Sequence, residues 1–258
     1  MQSVCIIPAR MGSSRFPGKP MSPLLGMPMI EHIYHRCRLH EGYDRVIVAT
    51  CDQVIADCII SAGGEAVMTS DDHERCTDRV QEAISNLKLD LANEDLVQMV
   101  QGDEILVGPE MLAEMQHVFQ DSGAPVVNLV SRLYRVEDHE DPNTVKVVAA
   151  PDGRLLYLSR APIPSRARAP EVPMYQQTGV IAFAKSHLDR FSSLPQTPLE
   201  KLESVDMLRY LEHGDTIMAV KTEIETIGVD TEQDRARAES ILADNPVTGR
   251  YLDRANAS

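Results

Sequence analysis

Four short apolar runs, each followed by a stretch with helical patterning, constrain this chain more than any other feature. SVCIIP (3–8), RVIVAT (45–50), EAVMT (65–69) and DLVQMV (95–100) have strand length and are nearly continuous in apolar residues. Helical spacing follows in Met29, Ile30, Ile33 and Cys37, in VIADCIISAGG with its stop at Gly63–Gly64, and in Val80, Ala83, Ile84 and Leu87 within 77–89. Another helix is predicted over 109–119, with Pro109 in its first turn. Buried strands that alternate with helices predict an α/β fold, a mostly parallel sheet covered on both faces. Beyond residue 124 the pattern changes. PVVNLVSRLY, TVKVVAA, RLLYLSR and TGVIAFA are separated by turn signals such as Pro151-Asp152-Gly153. Helices are predicted over 199–213 and 231–243, on either side of the strand IMAVKT. No repeat or low-complexity linker divides the 258 residues. The expectation is a single domain over 1–258 with a smaller strand-rich extension at about 140–190.

Composition narrows the partners. Lys and Arg number 25 against 39 Asp and Glu, a net charge of −14. Such a balance argues against a nucleic acid or an anionic membrane as the main partner. No apolar run approaches the ~20 residues that span a bilayer. MQSVCIIPARMGSS has no basic segment before its short apolar run, so a signal peptide is not expected and the chain reads as cytoplasmic. Five cysteines (Cys5, Cys37, Cys51, Cys58, Cys76) without a CxxC pair read as reduced thiols. The eight histidines include no HxxxH pair to bind a metal from one helical face.

Against this acidic background, residues 1–30 hold Arg10, Arg15 and Lys19 and no Asp or Glu. The loop Pro8-Ala9-Arg10-Met11-Gly12-Ser13-Ser14-Arg15-Phe16-Pro17-Gly18-Lys19-Pro20 follows the first strand, where open parallel sheets bind ligands. Its small residues let backbone N–H groups approach an anion, and its three cations would offset a triphosphate. A Walker A loop fails on spacing, because five residues separate Gly12 from Gly18 and Pro20 follows Lys19. GxGxxG is also absent. The plain alternative is a solvated basic loop.

The same loop resembles the signature of CMP-sugar synthetases for ulosonic acids, above all the CMP-Kdo synthetase family (3-deoxy-manno-octulosonate cytidylyltransferases). Further segments follow in the family's order: VIVATCD (46–52), GGEAVMTSDDHERCTDR (63–79), VQGDE (100–104), PNTVKVV (142–148), YLSRAPIP (157–164), PLEKLESVDMLR (198–209) and GVDTEQD (228–234). The resemblance implies a Rossmann-like sheet of the nucleotide-diphospho-sugar transferase type. It also implies a homodimer, with the 140–190 extension serving the acceptor and dimerisation.

The implied reaction joins CTP and a sugar acid into a CMP-sugar and pyrophosphate, with Mg²⁺ as cofactor. Asp103 and Asp230 each follow an apolar stretch, as suits a cation that takes one or two carboxylates plus phosphate oxygens. Taken alone, Asp103 could be a turn residue and Asp230 the N-cap of the helix that follows. The resemblance assigns both to the metal, and makes Arg10, Lys19, Asp103 and Asp230 the catalytic set. It implies nucleotide contacts from Pro8, Ala9, Arg10, Gly12, Ser13, Arg15, Lys19, Arg75, Thr77 and Gln101. It implies that the loop around His73–Arg79 recognises the base and ribose, with Gln101 and backbone groups of Pro8 and Ala9; Asp78 and Arg79 also have a plain reading as an exposed helix start.

On the acceptor side the resemblance implies Arg160, Gln177, Glu203 and Asp206. Here the chain departs from the family. Arg75-Cys76 replaces a small Ser-Gly pair, Gln177 stands where a His is usual, and Asp206-Met207 replaces Glu-Gln. The acceptor is therefore Kdo, an amino-substituted Kdo or another small acid. Two other readings remain open: a cytidylyltransferase for a phosphonate or sugar phosphate, and a nucleotide-binding regulatory protein without turnover.

Overall fold

A computed structural model describes the backbone of residues 1–12, 16–169, 171–229 and 231–255. The first half alternates as its apolar pattern predicts. β1 (Ser3–Ala9) leads through two short strands, β2 (Pro23–Leu24) and β3 (Met27–Pro28), into α1 (Met29–Arg38). β4 (Arg45–Thr50), α2 (Gln53–Ser61), β5 (Glu65–Met68), α3 (Cys76–Leu87), β6 (Leu96–Val100) and α4 (Pro109–Ser122) follow. The second half contains β7 (Val126–Leu133), α5 (Val136–Glu140), β8 (Lys146–Ala149), β9 (Leu155–Ser159) and β10 (Met174–Ala184). It ends with α6 (Lys185–Ser193), α7 (Pro198–Glu203), α8 (Met207–Glu212), β11 (Ile217–Thr222), α9 (Glu232–Asp244) and α10 (Pro246–Ala255).

The sheet runs β11-β7-β10-β6-β1-β4-β5, and the β8–β9 hairpin joins it at β10. β1 pairs in parallel with β4 and β6, as do β4 with β5 and β7 with β11. Only β10 among the strands of this path runs antiparallel, against both β6 and β7. Strand alternation feeds two cores. Cys5 and Ile7 pack on one side with α1, α2 and α4, while Val4 and Ile6 pack on the other with α3, α6 and α8. Among the described residues, no helix is long and apolar enough to cross a membrane.

Several helices differ from the sequence expectation. The helix over 199–213 is two, because Ser204 adopts φ 52° and closes α7 before α8 begins. Arg209 of α8 reaches back to Glu200 of α7 at 2.6 Å, and both side chains are buried. The last predicted helix starts at Glu232 and is capped by Thr231, whose hydroxyl accepts from Asp234 N–H. That cap removes the reading of Asp230 as the N-cap. Helices α5, α6 and α10 were not expected. α6 buries only Leu188 and Phe191, too sparse an apolar stripe to stand out in the sequence.

Candidate active site

Parallel strands β1, β4, β5 and β6 deliver their following residues to one edge of the sheet, the usual place for a ligand in such folds. Pro8 and Ala9 end β1 there, and Gln101-Gly102-Asp103 leave β6 beside them. Gly102 N–H donates to Pro8 O at 3.1 Å, and a Cβ on Gly102 would lie 3.0 Å from that oxygen. A glycine is what allows this approach.

The basic loop is tied down at both ends. Met11 N–H donates to Asp52 Oδ2 at 2.8 Å, and Gly18, at φ 76°, donates to Met11 O at 3.0 Å. A short 3₁₀ turn over Lys19–Met21 then aims Lys19 inward. Its Nζ lies 2.7 Å from Asp103 Oδ2 and 2.9 Å from Val229 O. Arg10 Nη1 donates to His73 O at 3.1 Å, which links the loop to the segment after β5. Ser13, Arg15 and Asp230 lie outside the described residues.

Two adjoining cavities result. The smaller, about 280 Å³, is lined by Pro8, Ala9, Arg10, Gly12 and Lys19 from the loop side, with Gln101 and Asp103 opposite. The larger, about 610 Å³, includes Thr77, Arg160, Gln177 and Asp206. Glu74, Arg75, Cys76, Gln101 and Asp103 line both and form the boundary between them. So the residues implied for the nucleotide and for the acceptor gather in neighbouring spaces, with Thr77 on the acceptor side. Glu203 is not on either wall. Its carboxylate accepts from Ser159 Oγ (2.6 Å) and Arg160 N–H (2.8 Å), which makes it a support for Arg160 instead of a lining group.

The boundary is polar and charged. Arg75 pairs with Asp206 at 3.1 Å, and Thr77 Oγ1 lies 3.3 Å from the same carboxylate. Burial raises the Asp206 pKa against the opposing pull of Arg75. Burial, reinforced by Asp103 and Asp206, pushes the Cys76 thiol up to about 12, so it stays a neutral wall group. Arg160 spends Nε on Glu203 O (2.6 Å) and Nη1 on Pro142 O (3.0 Å). Behind it, buried Lys146 donates to Asp141 O, Thr144 O and Arg160 O at 2.5–2.8 Å. Gln177 Nε2 donates to Asn128 Oδ1 at 2.9 Å. Met207 is fully buried in the core that backs the cavity.

Several positioning residues escaped the sequence reading. Asp52 holds the basic loop, and its only signal was its place just past a strand. Glu104 is 6% exposed and accepts the Gly179 N–H at 2.5 Å, which brings β10 against Gln101. A Cβ on Gly179 would meet Gln101 at 2.6 Å. Arg79, at the end of the loop expected to recognise the base, is only 3% exposed and lines the smaller cavity, so its plain reading as an exposed helix start fails.

The donors around Asp103 suit a hard cation. They are oxygens, the nearby thiol is protonated, and Lys19 balances part of the charge. No group of three His, Cys, Asp or Glu among the described residues would hold a metal alone. Mg²⁺ often relies on one or two carboxylates and on substrate phosphates.

Comparison with known proteins agrees with this geometry. Residues 4–222 match the cytidylyltransferase family. The 3-deoxy-manno-octulosonate cytidylyltransferase of Syntrophobacter fumaroxidans is 43% identical, over 96% of this chain and 99% of that protein. The 8-amino-3,8-dideoxy-manno-octulosonate cytidylyltransferase of Shewanella amazonensis is 39% identical, over 94% of this chain and 99% of its own length. A solved CMP:2-keto-3-deoxy-manno-octonic acid synthetase, complexed with CTP, superposes with a TM-score of 0.85 at 34% identity. It covers 95% of this chain and 99% of its own. By full-length relatedness and by fold, this chain belongs to the cytidylyltransferase family.

Proposed function

We propose that this chain transfers CMP from CTP to the anomeric hydroxyl of Kdo or a Kdo-like sugar acid. The observation that carries the reading is the pair of cavities meeting at Arg75, Gln101 and Asp103, one flanked by the basic loop and the other by Arg160 and Gln177. In the proposed step the acceptor oxygen attacks the α-phosphorus, the bond to the bridging oxygen breaks, and pyrophosphate leaves. The hydroxyl proton passes to solvent. Such a transfer depends on alignment and on charge stabilisation more than on covalent catalysis.

Lys19 and Arg10 would neutralise the triphosphate and the departing pyrophosphate. Gly12, in a loop fixed by Asp52, adds a backbone donor. Arg160, supported by Glu203, would orient the acceptor, with Gln177 and Asp206 reading its hydroxyls or a polar substituent. Enzymes of this kind generally need a divalent metal; Mg²⁺, held by Asp103 with Asp230, would withdraw charge from the phosphate oxygens.

Kdo and its 8-amino relative are the two candidate acceptors, since relatives of both kinds align over 96% and 94% of this chain. A cytoplasmic homodimer belongs to the same proposal. Strand β9 pairs with β8 alone among the named strands, and Leu156 on it is 49% exposed, which favours association through the 140–190 segment. Pyrophosphate release from CTP, screened against Kdo, 8-amino-Kdo, a sugar phosphate and a phosphonate, tests the reading. Release with the last two alone would overturn it, and light scattering that gives one chain per particle would overturn the dimer.

A further inference from the structure

Asn128 sits on β7, fully buried, at a place where the sheet is irregular. Pairing between β7 and β10 passes from Val130–Gln177 to Asn128–Ile181, so β10 carries two more residues than β7 over that stretch. The surplus forms a bulge at Thr178–Val180. It is held from both sides. Towards β6, Gln101 N–H donates to Gly179 O at 2.9 Å, and Glu104 accepts the Gly179 N–H. Towards β7, Asn128 Nδ2 reaches the carbonyls of Leu129, Thr178 and Val180, each at 3.1 Å. Thr178 Oγ1 also donates to Leu129 O at 2.8 Å.

Carbonyl oxygens only accept, so these three fix the sense of the Asn128 amide. Turned the other way, Oδ1 would face three oxygens with no proton between them. Oδ1 is therefore left for Gln177, whose Nε2 donates to it at 2.9 Å. Gln177 is fixed in turn, because only its nitrogen can serve Oδ1. Its Oε1 makes no hydrogen bond among the described residues, and the half-buried side chain lines the larger cavity.

We propose that Asn128 is a positioning residue that sets the hydrogen-bond polarity of Gln177, so that Gln177 Oε1 accepts a hydrogen bond from a hydroxyl or ammonium of the sugar acid. The inference rests on the acceptor reading of the larger cavity. An amide free to flip serves donors and acceptors alike, whereas one held in a single sense discriminates between them. A neutral oxygen also reads either donor without the repulsion that a carboxylate would exert on an acidic substrate.

A double-mutant cycle in steady-state kinetics separates this role from a structural one. Gln177→Met keeps the length of the side chain and loses both amide groups. It raises KM for the sugar acid at least about fivefold and leaves KM for CTP within about twofold of wild type. Asn128→Leu gives the same split, and the double variant adds no more than about twofold to the Gln177→Met loss. Fluorinated analogues of the acid that is turned over test the polarity, because fluorine does not donate. In each, one hydroxyl other than the anomeric, or the amine, is replaced. At least one analogue shows a KM raised about fivefold with wild type and less than about twofold with Gln177→Met. Should Asn128→Leu fail to fold, Asn128→Ser takes its place in the cycle, since its shorter side chain serves a strand carbonyl and not Gln177. Losses that multiply in the double variant, a CTP KM that rises with that of the acid, the lack of any such analogue, or failure of both Asn128 variants to fold overturns the assignment. Wild-type protein that transfers CMP to neither Kdo nor 8-amino-Kdo overturns the acceptor reading itself.

Discussion

Lys19 holds Asp103 Oδ2 and Val229 O at once, so a single side chain ties the basic loop to two other segments of the site. Its removal subtracts a cation from the triphosphate and leaves Asp103 uncompensated. Lys19→Ala and Arg10→Ala are each expected to cost about 1.5–3 kcal/mol in kcat/KM for CTP, the scale of hydrogen bonds to charged groups. Thermal stability of Arg10→Ala should stay near wild type, because Arg10 is exposed. Asp103→Asn keeps the shape and removes a hard anionic oxygen. Steady-state assays across a magnesium titration should find turnover nearly abolished at every concentration. On the acceptor side, Gln177→His restores the residue usual in the resembled family and breaks the bond to Asn128. A shift of at least tenfold in the kcat/KM ratio of Kdo over 8-amino-Kdo is expected if this position selects the acceptor. An unchanged ratio in an active variant removes Gln177 from that role. Met207 also lines the larger cavity, but Met207→Gln is a poorer probe because the residue is buried and its amide would need a new partner.

Between α7 and α8, the buried Glu200–Arg209 pair fixes a turn that carries Asp206 to the cavity. Arg209 also packs over Phe191, 3.9 Å from the ring centroid. Glu200→Gln leaves a buried guanidinium short of its charge partner. Urea unfolding should show a loss of about 3–5 kcal/mol, with a weakened acceptor KM accompanying it. The sequence carried the strands of the first half almost to the residue, since β4 needs every one of Arg45–Thr50 to cross a two-sided core. The basic loop stood out by its local charge, a one-dimensional signal, whereas the acceptor segments came only from the family resemblance. The break at Ser204 was illegible, for it depends on a non-glycine residue held at positive φ by tertiary contacts. α10 was illegible for a similar reason: its anchors, Tyr251 and Thr248, reach His32 and Arg36 on α1 across more than 200 residues. Glu104 was missed because burial of a charged side chain has no periodic signature.

At the scale of the whole molecule, the sheet edge assembles the site from segments at opposite ends of the chain, so activity depends on global folding. One global sensitivity is acid. His32 bonds to Tyr251 Oη and Leu24 O, both at 2.7 Å. Desolvation lowers its pKa to about 4 despite the Leu24 carbonyl. The unfolded chain therefore binds the proton first. Stability from neutral His32 is complete above about pH 6.5 and is lost as pH falls towards 4, by up to ~3 kcal/mol. Melting temperature should fall across that window, and a His32→Gln variant should show a shallower fall than wild type.

The central claim is cytidylyl transfer itself. Phosphorus NMR of the protein with CTP, Mg²⁺ and either Kdo or 8-amino-Kdo follows every phosphorus atom at once. The account predicts one phosphodiester resonance of a CMP-sugar and an equal amount of pyrophosphate with at least one of the two acids, and neither product with Asp103→Asn. CTP that persists with both acids, or that yields CMP and pyrophosphate without a phosphodiester, contradicts it.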